Sequence, residues 1–123
     1  MDAAAMIDKF LQLNEDRKLE EAQAMMAKGC KIEFPGARRF ENLAEMVANA
    51  KGRYNWVRKH RERYFVGVNG SQTTVTSLGT LYGENLSGKA FEGVRYVDVF
   101  IIENGLIVEQ MVWNDFAELG VLN

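Results

Sequence analysis

Asn104-Gly105 stands between two apolar runs, and that juxtaposition constrains the chain more than any other feature. Phe91–Ile102 before it is rich in β-branched and aromatic residues, and Leu106–Trp113 follows at once. Asn-Gly accepts the positive backbone angles of a tight hairpin, so the two runs read as adjacent antiparallel strands. Asn69-Gly70 and Ser87-Gly88 punctuate the preceding sequence in the same way. The spacing predicts four long strands, near 56–68, 71–84, 90–102 and 106–117, in a meander. A helical pattern precedes them. Ala3, Met6, Ile7, Phe10 and Leu11 recur at helical spacing. Leu19, Ala22, Met25 and Met26 restart it, with Gly29 placed to end that helix. Cys30–Phe34 reads as a short strand stopped by Pro35-Gly36. Asn42 and Glu45 form a capping box for a third helix carrying Leu43, Met46, Val47, Ala50 and Tyr54. Helices first and strands after is an α+β order, here as one domain over 1–123.

Asp98 lies inside the third strand, on the face that carries Tyr96 and Phe100. A carboxylate there is costly unless paired or protonated, and such groups cluster at functional sites. Its neighbours depend on the turn. A two-residue loop sets Asp98 opposite Met111, with Trp113 on the same face. A three-residue loop with Gly105 in a bulge sets it opposite Gln110, with Val112 and Asn114 on that face. The second is preferred, because it gives the buried acid an amide donor. It also collects Val97, Val99, Ile101, Met111 and Trp113 on the other face. Helices cover one side of such a sheet, so a second copy of the chain is expected on the outer one.

Composition excludes several classes. The net charge is −2 and Cys30 is the only cysteine, so neither a basic nucleic-acid field nor an intrachain disulfide is expected. No run approaches a membrane span, and the N-terminus lacks the pattern of a secretion signal. A soluble cytoplasmic protein without metal or cofactor is the expectation: there is no zinc-ligand spacing, phosphate loop or nucleophile elbow. His60, the only histidine, lies in Arg58-Lys59-His60-Arg61-Glu62-Arg63. Alternation puts it with Trp56, Arg58, Glu62 and Tyr64. It reads either as an acid–base partner of Asp98 or as an exposed strand histidine. The basic run reads as a solvated edge, with its cations split between two faces.

Val97-Asp98-Val99-Phe100, Glu103-Asn104-Gly105-Leu106-Ile107-Val108-Glu109 and Trp113-Asn114-Asp115-Phe116 resemble the last hairpin of the SnoaL-like, polyketide cyclase-like branch of the nuclear transport factor 2-like superfamily. The layout of nearly the whole chain fits. The resemblance implies a cone of N-terminal helices on a strongly curved, mixed or antiparallel sheet, enclosing a pocket. Asp98 matches the pocket carboxylate of ketosteroid isomerase and of the cyclases. The isomerase's base falls on Phe34 and its oxyanion tyrosine on Phe10, and no Arg-x-Asp of the epoxide hydrolases occurs. The expectation is a cofactor-free cyclase, isomerase or dehydratase for an apolar carbonyl compound. Asp98 and His60 are its candidate catalytic residues. Phe34, Tyr54, Trp56, Tyr64, Tyr96, Phe100, Gln110, Val112 and Asn114 are its candidate ligand contacts. A non-catalytic domain binding a small apolar ligand is the alternative, and an interaction module using its sheet face is a third.

Overall fold

A computed structural model describes residues 2–122. Three helices, α1 (Ala3–Glu15), α2 (Leu19–Gln23) and α3 (Leu43–Ala50), pack on one sheet. Its strands are β1 (Met26–Phe34), β2 (Arg38–Phe40), β3 (Tyr54–Asn69), β4 (Gln72–Asn85), β5 (Ala90–Glu103) and β6 (Leu106–Asn114). Their spatial order is β2-β1-β6-β5-β4-β3. β1 runs parallel to β6, and every other neighbouring pair is antiparallel. The architecture is the expected α+β one with a mixed sheet. No helix of the described residues is long and apolar enough to cross a membrane.

Local chemistry explains the elements. The Asp2 side chain accepts the Ala5 N–H at the start of α1, and Asn42 accepts the Glu45 N–H at the start of α3. The second helix is shorter than its apolar spacing suggests. It stops at Gln23; Met25 lies in the turn that follows, and Met26 opens β1. Gly29 is therefore not a helix stop. It sits at φ +79° within β1, where the register to β6 slips between Met26 and Lys31. β6 ends at Asn114, because its side-chain oxygen takes the Phe116 N–H and turns the chain.

The β5–β6 turn corrects the preferred register. Glu103 pairs Leu106, so the loop is the two-residue one, with Asn104 at φ 53° and Gly105 at φ 76°. Farther along, Ile102 pairs Ile107 but Ile101 pairs Glu109, which leaves Val108 as a bulge. That extra residue restores the face expected from the longer loop. Tyr96, Asp98 and Phe100 face inward with Asn114, Val112 and Gln110. Asp98 is opposite Val112, not Gln110.

Further register shifts fall at Asn55, Glu62 and Tyr82. Bulges bend the strands and curve the sheet around the helices. The core has two parts. One lies under α1 and α2, where the Phe10 and Phe100 rings meet edge-on at 5.6 Å. The other gathers Leu81, Val94, Tyr96, Phe116 and Val121. A hollow is left between them.

Gly79 pairs Tyr96 across the sheet and lies beside the Glu62 bulge. A Cβ there would come within 1.9 Å of the His60 carbonyl oxygen and 3.0 Å of Tyr96 Cε2. Gly79→Ala is expected to destabilise the fold by roughly 2 kcal/mol, as overpacking does. Urea unfolding measures this, and an unchanged midpoint would contradict the close approach.

Candidate functional site

The hollow has a volume of about 120 Å³. That is room for about one ring; an engineered apolar cavity of ~150 Å³ holds benzene. Its walls include Leu11 of α1, Phe34 of β1, Val47 of α3, Leu81 of β4 and Val112 of β6. Asp98, fully buried, is part of its floor.

Asp98 has a partner that the sequence pattern had set aside. Lys59 Nζ donates to Asp98 Oδ2 at 2.6 Å, and the same ammonium lies 4.9 Å from the centre of the Tyr96 ring. Lys59 is on β3, two strands from Asp98; on the strand between them Leu81 pairs Lys59 and Ser77 pairs Asp98, with Gly79 between those two. Burial raises the Asp98 carboxyl above the ordinary 3.8, and the Lys59 charge and hydrogen bond oppose that rise. Asp98 Oδ1 has no hydrogen-bond partner in the protein. The same holds for Gln110 Oε1 and Asn14 Oδ1, and both residues line the hollow. A buried acceptor without a protein donor is costly unless a water or a ligand supplies one, and three such residues lie around this cavity.

α1 sets the position of Lys59. Asp8, Gln12 and Glu15 occur at helical spacing on one face of α1. Glu15 accepts the Lys59 backbone N–H at 3.0 Å, Gln12 accepts from Arg61 at 2.6 Å, and Asp8 accepts from Arg61 at 2.8 Å. Tyr64 donates to the same Asp8 oxygen. The expected solvated edge is corrected here: Lys59 and Arg61 turn inward and are held by carboxylates.

Seven of the expected site residues line the cavity: Phe34, Tyr54, Tyr96, Asp98, Gln110, Val112 and Asn114. Four do not. His60 is exposed and stacks on Tyr82 at 4.3 Å between ring centres, so it is not beside Asp98. Its neighbour Lys59 takes the inward position. Trp56 is 44% exposed on that same outer face, with Tyr82 edge-on at 6.1 Å. Tyr64 leaves the face of His60, because the Glu62 bulge changes the strand's parity, and bonds Asp8 instead. Phe100 is core, since Phe10 covers it. Cavity residues that the pattern had not assigned are Lys59, Glu15 and Asn14, with Arg17, Arg38 and Arg53. Among the described residues, no group of three or more His, Cys, Asp or Glu side chains is arranged to hold a metal.

Comparison with known proteins agrees with this architecture. No protein-family model matches the sequence, and no curated protein does. Solved structures do match. A nuclear transport factor 2-like protein of unknown function from Burkholderia pseudomallei K96243 superposes with a TM-score of 0.80 at 17% identity, covering 98% of this chain and 96% of that one. TerC, co-crystallised with polyporic acid, gives 0.77 at 15% identity over 97% and 95% of the two chains. A candidate polyketide cyclase from Pseudomonas putida KT2440 gives 0.71 at 14% identity over 100% and 99%. The chain has the fold of the nuclear transport factor 2-like superfamily, as its last hairpin suggested. At these identities the likeness is one of fold.

The raised Asp98 carboxyl fixes the sign of a pH effect. The group holds its proton more tightly folded than unfolded. Its contribution to stability is fully present below pH 3.8 and is lost as the pH climbs through the raised value. Asp98→Asn lacks this loss, so its stability should gain on the wild type as the pH rises above 3.8. Lys59→Met removes the opposing cation and should move the Asp98 midpoint higher still. Urea unfolding at several pH values reads the first and carboxyl carbon NMR the second; a wild-type Asp98 midpoint at or below 3.8 would contradict the environment described.

Proposed function

We propose that the protein is a small cofactor-free enzyme that moves a proton on a compact carbonyl compound, in an isomerisation, cyclisation or dehydration. The observation that carries this reading is Asp98 in the cavity lining, with one carboxylate oxygen on a lysine ammonium and the other without a hydrogen-bond partner in the protein. Oδ1 takes the proton from the carbon next to the carbonyl. The charge left behind moves onto the carbonyl oxygen as an enolate. The Lys59 ammonium has three donors, and one serves Asp98, so the others can offset the new charge. Gln110 and Asn114 orient the substrate, and Asp98 returns the proton at its new position. The similarity in fold to a candidate polyketide cyclase supports this class of chemistry.

A non-catalytic ligand-binding domain is the second reading. One observation favours it: the Asp98 carboxyl is fully buried and already engaged, as a structural ion pair would be. Proton exchange separates the two. Cyclic one-ring ketones in D2O should exchange their α-hydrogens faster with the protein present, by NMR. Asp98→Asn should lower that rate by 10²-fold or more, on the order expected for a general base. No acceleration by the wild type would favour the binding domain, and acceleration that survives Asp98→Asn would contradict Asp98 as the base.

A homodimer through the outer sheet face belongs to the same proposal. Trp113 is 50% exposed there, beside half-buried Val97, Val99, Ile101 and Met111. Such a stripe favours a covering partner. Sedimentation at micromolar concentration should give a dimer and Trp113→Glu a monomer; a monomeric wild type would contradict this. A cytoplasmic setting is supported by the single cysteine, Cys30, which is buried with its thiol pushed up to about 11 mainly by that burial.

A further inference from the structure

The cavity has two chemically different ends. Its floor is Asp98, Gln110 and Val112, all buried. Its rim carries Arg17 from the turn after α1, Arg38 from β2 and Arg53 from the turn after α3. Three separate segments thus bring a guanidinium to one opening. Among the described residues, none of the three is in an ion pair; the paired cations are Arg39, Lys59, Arg61 and Arg95. Around the whole cavity five cations face two carboxylates, in a chain whose net charge is −2. Positive charge has therefore been concentrated at this mouth against the sign of the molecule as a whole.

The rim is also held in place. Arg38 donates through Nε to the Pro35 carbonyl at 3.0 Å and through Nη1 to Asn49 Oδ1 at 2.7 Å. Arg17 Nη1 donates to the Asn14 carbonyl at 2.8 Å. Each guanidinium keeps donors unused by these contacts. The Tyr54 hydroxyl lies in the field of all three arginines, although burial still raises it. Burial first, and then the like charge of Arg53, lower the hold of Arg38 on its proton. An anion would relieve that repulsion.

We propose that the rim is a subsite for a carboxylate or similar acidic group, so that the substrate is an acid whose hydroxyl or carbonyl end reaches the floor. The subsite rests on the pocket reading above and replaces the expectation of a wholly apolar ligand. Arg17, Arg38 and Arg53 clamp the anion through charge-assisted hydrogen bonds. The ring lies between Leu81, Val112 and Tyr54. The far hydroxyl donates to Asp98 Oδ1 or Gln110 Oε1, the buried acceptors that lack a donor. The cavity volume of about 120 Å³ limits the enclosed body to about one ring.

Two neutral-against-charged probes test this: 4-hydroxybenzoate and its methyl ester, measured by titration calorimetry on the intact protein. The acid should bind about tenfold more tightly than the ester, the worth of one or two charge-assisted contacts. That preference should shrink as salt is raised. Arg53→Gln and, separately, Arg17→Gln should each reduce the preference at unchanged melting temperature. Asp98→Asn should leave the preference for the acid in place. Equal binding of acid and ester, or a preference that survives both arginine changes, overturns the anion subsite while the pocket reading stands. Binding of neither probe overturns the subsite and the pocket reading together.

Discussion

A carboxylate buried in the concave face of a sheet has to be answered by something, and here a lysine two strands away answers it. The Lys59–Asp98 contact organises the interior around it. It spans β4 past Gly79, where the His60 backbone and the Tyr96 ring leave no room for a side chain. It requires β3 to turn Lys59 inward, and Glu15 of α1 holds the backbone at that residue. Replacing such a pair by apolar groups is often no less stable, so stability alone does not account for it. Its chemical consequence is a polarised floor: a cation on one carboxylate oxygen and no donor on the other.

The hydrophobic packing decides how large a ligand that floor can serve. Phe10 and Phe100 fill the deep end of the cone with an edge-on contact. Tyr54 and Phe116 stack near the other core cluster at 5.8 Å. Between them remains space for about one ring. Arginines from two turns and from β2 then frame the entrance, so the elements that close the cone also determine what charge enters it.

Much of this architecture was legible because the residues state it locally. Asn104-Gly105 fixed the hairpin, Asn42 and Glu45 the start of α3, and alternation the inward face of β5. Helical spacing misled at Met25 and Met26, since an apolar pair serves a helix or a strand equally. The site was legible on β5 and β6 but not on β3. There, a single histidine drew attention to one face, whereas the side chain that meets Asp98 is its neighbour. Parity cannot be read through a bulge that the sequence does not announce, and Glu62 is such a bulge. One signal was present: Asp8, Gln12 and Glu15 form an acidic and amide stripe on α1, which needed donors such as Lys59 and Arg61 to face it. The rim arginines left no local trace, because only the fold brings their three segments together.

The central claim is that the free oxygen of Asp98 serves a ligand inside the cone while Lys59 holds the other. A crystal structure with a one-ring hydroxy acid bound tests it most directly. The account predicts the ligand's oxygen within hydrogen-bond distance of Asp98 Oδ1, with Lys59 Nζ still on Oδ2. Density for the ligand outside the cone, or an Asp98 carboxyl turned away from a ligand within it, would contradict the account.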